Sequence, residues 1–130
     1  MKSSWRHHHG TPYFHADYSG FGRNIDALRI EVDGADSQIE QSAADSALVL
    51  VDIRNTVTSI DVVSLFKEST ARTKGHVKKT AIVGVRGVQR ILATAVARFS
   101  GEDLHLFDTV EAARDWLAGE GAGGQTIPAE

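Results

Sequence analysis

The sequence predicts an α/β fold in which strands and helices alternate along a single domain. Two short, nearly all-apolar runs, "ALVLVDI" at 47–53 and "TAIVGV" at 80–85, have the composition of strands covered on both faces, as in a parallel sheet. Between and after them, apolar residues recur at steps of three and four, the period of a helix with one buried face. A chain of 130 residues suits one domain with one core.

Taken in order, residues 1–11 read as a loose N-terminal arm, and adjacent His7, His8 and His9 in such an arm lack the fixed geometry a metal site needs. "PYFHADYSG" (12–20) reads as a strand, with Tyr13, Phe14 and Tyr18 favouring extended backbone and Gly20 and Gly22 marking the exit. Residues 23–44 carry two patterns. "LRIEVD" alternates like a strand and is followed by an Asp-Gly turn signal, yet Ile25, Leu28, Val32, Ala35 and Ile39 fall on one helix face. The helical period covers more residues and predicts a helix, in which Gly34 costs roughly 1 kcal/mol relative to Ala.

The apolar run 47–53 predicts a central strand. "RNTVTS" is a loop, and Ser59, or Thr58 paired with Asp61, is positioned to cap the following helix. Val62, Leu65, Phe66 and Ser69 give that helix its inner face, and Lys74-Gly75 closes it. "KKTAIVGV" (78–85) is the next strand. Val88, Ile91, Leu92, Ala95, Val96 and Phe99 form the cleanest amphipathic pattern in the chain, ended by Ser100-Gly101. "LHLF" (104–107) is a short strand. Asp108, with Glu111 as box partner, caps a final helix whose inner face is Val110, Ala113, Trp116 and Leu117. Residues 119–130 read as a disordered glycine-rich tail, which leaves 12–118 as the domain.

Composition narrows the function classes. Without cysteine there are no disulfides, no thiolate zinc sites and no cysteine catalysis. No apolar run is long enough to span a bilayer, and "MKSSWRHHHG" lacks the apolar segment of a secretory leader, so the cytoplasm is the expected location. Net charge is −3, but the charges are segregated: seven Lys/Arg and no acid from Arg72 to Arg98, then seven acids against Arg114 alone from Phe99 onward. No aromatic side chains interleave with the basic span to stack bases, so no nucleic-acid partner is expected.

The segments "VLVDIRNTVTSIDVVSLFKE", "VKKTAIVGVRGVQRILATAVARFSG" and "LHLFDTVEAARDWL" resemble the SpoIIAA-like group of STAS domains, the family of sulphate-transporter and anti-sigma-factor-antagonist modules, in particular its stand-alone bacterial members. The likeness runs from about Tyr13 to Leu117. It implies a four-stranded, mainly parallel sheet in spatial order 2-1-3-4 with four helices, in two or three layers. It also implies a non-enzymatic regulatory module that binds a protein partner such as a kinase or an anti-sigma-like protein, as a monomer or weak homodimer and without a cofactor. In antagonist members a serine within Asp-Ser-Ser-Gly, at the start of the helix after the apolar strand, is phosphorylated. Here Thr58 and Ser59 hold about that place, in "TVTSID", without the flanking Asp and Gly.

A second candidate site follows from the α/β pattern itself, because ligands on such sheets sit at the carboxyl ends of the strands. Asp17, Asp52 and Asp108 end strands, and Asp17 and Asp52 belong to expected neighbours. "GVRGV" is neither a Walker loop nor a dinucleotide fingerprint. Gly84 and Gly87 turn the chain there, and the amides beyond them, with Arg86, offer an anion a place to sit. Asp17, Ser19, Asp52, Gly84, Arg86 and Gly87 are therefore the candidate residues for a small anionic ligand. No metal site and no catalytic set is expected. His15 and His76 are isolated in the sequence, and Trp116 reads as core.

Overall fold

A computed structural model describes residues 1–85, 104–120 and the backbone of 125–126. The strands are β1 (Ser4–His8), β2 (Thr11–Asp17), β3 (Ala47–Asp52), β4 (Val77–Val83), β5 (Leu104–Phe107) and the two-residue β6 (Gln125–Thr126). The helices are α1 (Ile25–Ile39), α2 (Ile60–Thr73) and α3 (Val110–Leu117). The helix expected over 88–99, and with it Arg86 and Gly87, lies outside the described residues.

The α/β class holds, and β2, β3, β4 and β5 are parallel as expected. Their order is not the expected 2-1-3-4. The strands lie side by side in chain order, β1-β2-β3-β4-β5-β6, with β1 and β6 antiparallel at the two edges. Two successive crossovers that step in the same direction with the same hand place their helices on the same face. α1 and α2 accordingly share one face and touch each other, while α3 packs on β3 and β4 from the other. The apolar run 47–53 becomes β3, between β2 and β4, and Leu50 at its middle is fully buried.

The sheet separates two apolar clusters, as alternation along each strand requires. Phe14, Ala16, Tyr18, Val49 and Ile82 face Leu28, Val32, Ala35 and Ile39 of α1 and Val62 and Leu65 of α2. Tyr13, Leu50, Ala81, Val83 and Phe107 face Ala113, Trp116 and Leu117 of α3. The helical reading of 23–44 is the one the chain adopts, and its expected inner face is buried apart from the partly covered Ile25. Ser59 caps α2, its Oγ accepting from the Val62 amide at 3.2 Å. The cap of α3 lies one residue beyond the expected Asp108: Thr109 Oγ1 accepts from the Ala112 amide at 3.1 Å.

The N-terminal segment is not a loose arm. Ser4–His8 pairs antiparallel with Thr11–His15, and the two-residue turn His9-Gly10 has φ of 50° and 78°. Positive φ at both central residues is what a type I′ hairpin turn demands, and its twist matches that of the flanking strands. The start of the chain is fastened as well. The Glu31 carboxylate on α1 accepts from the amides of Lys2 (3.1 Å) and Ser3 (2.8 Å), and Ser3 Oγ accepts from the Asp17 amide at 2.9 Å. In the glycine-rich tail, 125–126 pairs with β5 as β6.

Candidate functional site

At the carboxyl edge of the parallel strands, Asp17 and Asp52 are register partners on β2 and β3. Each ends its strand in the same local turn. Asp17 Oδ1 accepts from the Ser19 amide (3.2 Å), and Asp52 Oδ1 accepts from the Arg54 amide (3.1 Å). An Asp side chain that holds the amide two residues ahead is how such a residue stops a strand and starts a loop.

These strand ends open onto a cleft of about 450 Å³ on the α3 side of the sheet. β2 and the turn after it contribute His15, Asp17 and Ser19, and β3 with its loop contributes Asp52 and Arg54. Arg6 reaches in from β1, and Asp108, Thr109, Glu111 and Arg114 come from the start and flank of α3. The structure thus brings together three of the sequence-derived candidates, Asp17, Ser19 and Asp52, and all three strand-end aspartates. Gly84 is not among the residues lining the cleft. It sits behind it at φ +102°, where a Cβ would lie 2.7 Å from Arg54 Cγ and 2.9 Å from Arg54 N. Its role among the described contacts is to let the end of β4 pass close to the loop after β3. Arg86 and Gly87 fall outside the described residues.

The carboxylates of the cleft are largely spoken for. Asp52, 3% exposed, is held by Arg54 through Nε (3.0 Å) and a terminal nitrogen (2.7 Å). Burial works against ionisation of Asp17, but hydrogen bonds from the Ser19 hydroxyl and amide and the charge of Lys2 outweigh it and hold this carboxyl below its ordinary range. Among the described residues the three strand-end aspartates do not converge as a metal-ligating group.

The basic groups are not spoken for in the same way. His15 is 5% exposed, and its Nδ1 has no hydrogen-bond partner among the described residues. Burial, and then the charge of Arg6, push its pKa below the ordinary histidine value. The ring is therefore neutral at pH 7 and can offer either a donor or an acceptor. Among the described residues Arg114 Nε is buried without a hydrogen-bond partner, and neither Arg114 nor Arg6 forms an ion pair. The Arg6 side chain donates to Ser4 Oγ over a long 3.4 Å. A buried polar atom left unmatched costs about 1–3 kcal/mol, and a group that satisfies it recovers that cost.

Compared with known proteins, the chain matches no family model, no curated protein and no solved structure.

Thr58 and Ser59 lie away from the cleft. Ser59 is exposed at the start of α2 between two exposed apolar side chains, Val57 (39%) and Ile60 (79%). Thr58 lines a separate apolar cavity of about 80 Å³ between α2 and the sheet, with Val63, Phe66 and Ile82. His76 is hydrogen-bonded, its Nδ1 2.8 Å from the Ser42 carbonyl, and Trp116 is core, the latter as expected. Among the described residues no helix is long and apolar enough to cross a membrane.

Sequence reasoning missed Arg6, Arg54 and Arg114 and treated His15 as isolated. A signal for two of them was present. Read as a hairpin, "SWRHHHGTPYFHAD" sets Arg6 across from Tyr13, two positions from His15, on one face.

Proposed function

We propose that this chain is a small-ligand-binding domain, and that its polar cleft takes a small organic anion bearing a phosphate or carboxylate. The observation that carries this reading is that two residues lining one cleft, His15 and Arg114, each hold a buried nitrogen, Nδ1 and Nε, without a hydrogen-bond partner among the described residues. Arg6 adds a second guanidinium without a carboxylate partner among the described residues, and guanidinium forks suit the paired oxygens of phosphate and carboxylate. A volume of about 450 Å³ is in the range of small-molecule sites. The carboxyl ends of parallel strands are where α/β sheets hold ligands. Glu111, exposed at the start of α3, supplies an acceptor for hydroxyl or amino groups on the ligand body.

Calorimetric titration with inorganic phosphate, mononucleotides, sugar phosphates and dicarboxylates tests this. A binder is expected, with affinity at least 10-fold weaker for Arg114→Ala and His15→Ala and unchanged for Ile60→Ser. Absence of any binder, or equal affinity in Arg114→Ala, overturns the reading.

A second reading is a STAS-type regulatory module that docks a protein partner, kinase-like or anti-sigma-like, through 56–66. Exposed Val57 and Ile60 flanking Ser59 favour it, along with the sequence resemblance. Partner capture lost on Ile60→Asp, and altered on Ser59→Asp, supports it. Capture indifferent to both changes removes it.

A further inference from the structure

At the end of the molecule opposite the strand termini, the β1–β2 turn meets the last turn of α3. We propose that His8, His9 and Asp115 form a binding site there for a divalent transition-metal ion of zinc type, with Glu120 as an added carboxylate. The ligand atoms of His8, His9 and Asp115 all lie within 4.8 Å of one another, on two segments far apart in sequence. His8 Nε2 is 2.7 Å from Asp115 Oδ1, and His9 Nδ1 is 2.6 Å from Glu120 Oε2. The two imidazoles are stacked, centroids 4.0 Å apart.

Two backbone devices fix this arrangement, which adjacent histidines in a free arm lack. On one side the type I′ turn holds His8 at the end of β1 and His9 at φ 50°. On the other, Gly119 at φ +81° ends α3 in a Schellman motif: the Glu120 amide bonds the Asp115 carbonyl (2.7 Å) and the Gly119 amide bonds the Trp116 carbonyl (3.0 Å). That reversal returns Glu120 alongside Asp115, facing the histidines.

The donor types fit the ion. Two imidazole nitrogens and a carboxylate suit zinc, and the acidic groups offset its charge. In tetrahedral zinc with bonds of about 2.0–2.1 Å, ligand atoms stand about 3.3 Å apart. The His8–Asp115 pair need open only by a fraction of an ångström. The ion takes the place of the proton shared in each His–carboxylate contact, and each ring keeps its hydrogen on the other nitrogen.

Titration of EDTA-stripped full-length protein with Zn²⁺, by calorimetry and by thermal melting, tests the site. One ion per chain is expected, with a rise in Tm, because only the folded chain joins the hairpin to α3. Asp115→Asn and His8→Ala should each weaken binding at least 10-fold, whereas His7→Ala, on the opposite face of β1, should leave it unchanged. Zn²⁺ affinity unaffected by Asp115→Asn and Glu120→Gln overturns the proposal, as does equal loss in His7→Ala and His8→Ala: binding would then belong to the histidine run alone. Circular dichroism of each variant separates lost ligation from lost folding.

Discussion

Arg54 grips the Asp52 carboxylate with two parallel hydrogen bonds, 3.0 Å from Nε and 2.7 Å from a terminal nitrogen, and the Asp52 side chain is 4% exposed. The pair forms one wall of the cleft and also neutralises the charge at the end of the central strand. Arg54→Ala leaves that carboxylate with its loop amide alone. Because the guanidinium is itself half exposed, the loss falls at the lower end of about 1–3 kcal/mol. Urea denaturation should show a lowered midpoint with an unchanged slope. A midpoint equal to wild type would mean the pair contributes nothing.

Gly84 stands against the same arginine from behind. A methyl group there meets Arg54 backbone nitrogen at 2.9 Å, in a conformation at φ +102° that L-residues avoid. Strain of this kind costs on the order of 1–3 kcal/mol, so Gly84→Ala should destabilise the fold by about that much. It should also weaken anion binding, since the loop carrying Arg54 must shift. A variant as stable as wild type would contradict the close approach.

Asp36 joins α1 to α2. Ser69 Oγ donates to its Oδ1 at 2.6 Å, whereas among the described residues Oδ2 has no hydrogen bond and faces the charge of Arg72 at 3.5 Å. Burial raises its pKa to about 6, with the Ser69 hydrogen bond and Arg72 pulling the other way. Between about pH 4 and 6 the folded chain keeps this proton while the unfolded chain has released it. The folded state binds more protons, so this group's contribution to stability falls as pH rises through that window and is flat above it. The whole change is about 3 kcal/mol, from roughly two pKa units. Asn accepts from Ser69 and carries no charge. Asp36→Asn should therefore gain stability relative to wild type as pH goes from 4 to 6.5, measured by denaturation at each pH. A difference independent of pH would contradict the assignment.

Ser59 is an N-cap whatever else it does. Ser59→Ala should cost about 1 kcal/mol, while Ser59→Asp, which retains an acceptor at the positive helix end, should stay within about 0.5 kcal/mol of wild type. Equal losses in both variants would show that the hydrogen bond to the Val62 amide is not what the position contributes.

The elements legible in the sequence are those with a burial signature. β3 announces itself as an apolar run because both of its faces are covered, and α1 through its five spaced apolar residues. β1 is exposed along nearly its whole length at the sheet edge, so "SWRHH" carries no alternation, and a His-Gly turn lacks the Asn or Asp that usually marks a type I′ loop. Strand order was illegible for a different reason: alternation of strand and helix specifies crossovers but not the direction in which each one steps. The candidate site was half legible. Asp17 and Asp52 mark strand ends in any reading. Arg6, Arg54 and Arg114 belong to an edge strand, a loop and a helix, and no spacing links them until the sheet order is known.

The central claim is that an anion seats between His15 and Arg114. The most direct test follows the imidazole nitrogens of His15 by NMR while the tightest anion from the calorimetric panel is added. The His15 Nδ1 resonance should move saturably, with the calorimetric Kd, and Arg114→Ala should suppress the movement. Binding heat with the His15 nitrogens stationary would contradict the claim.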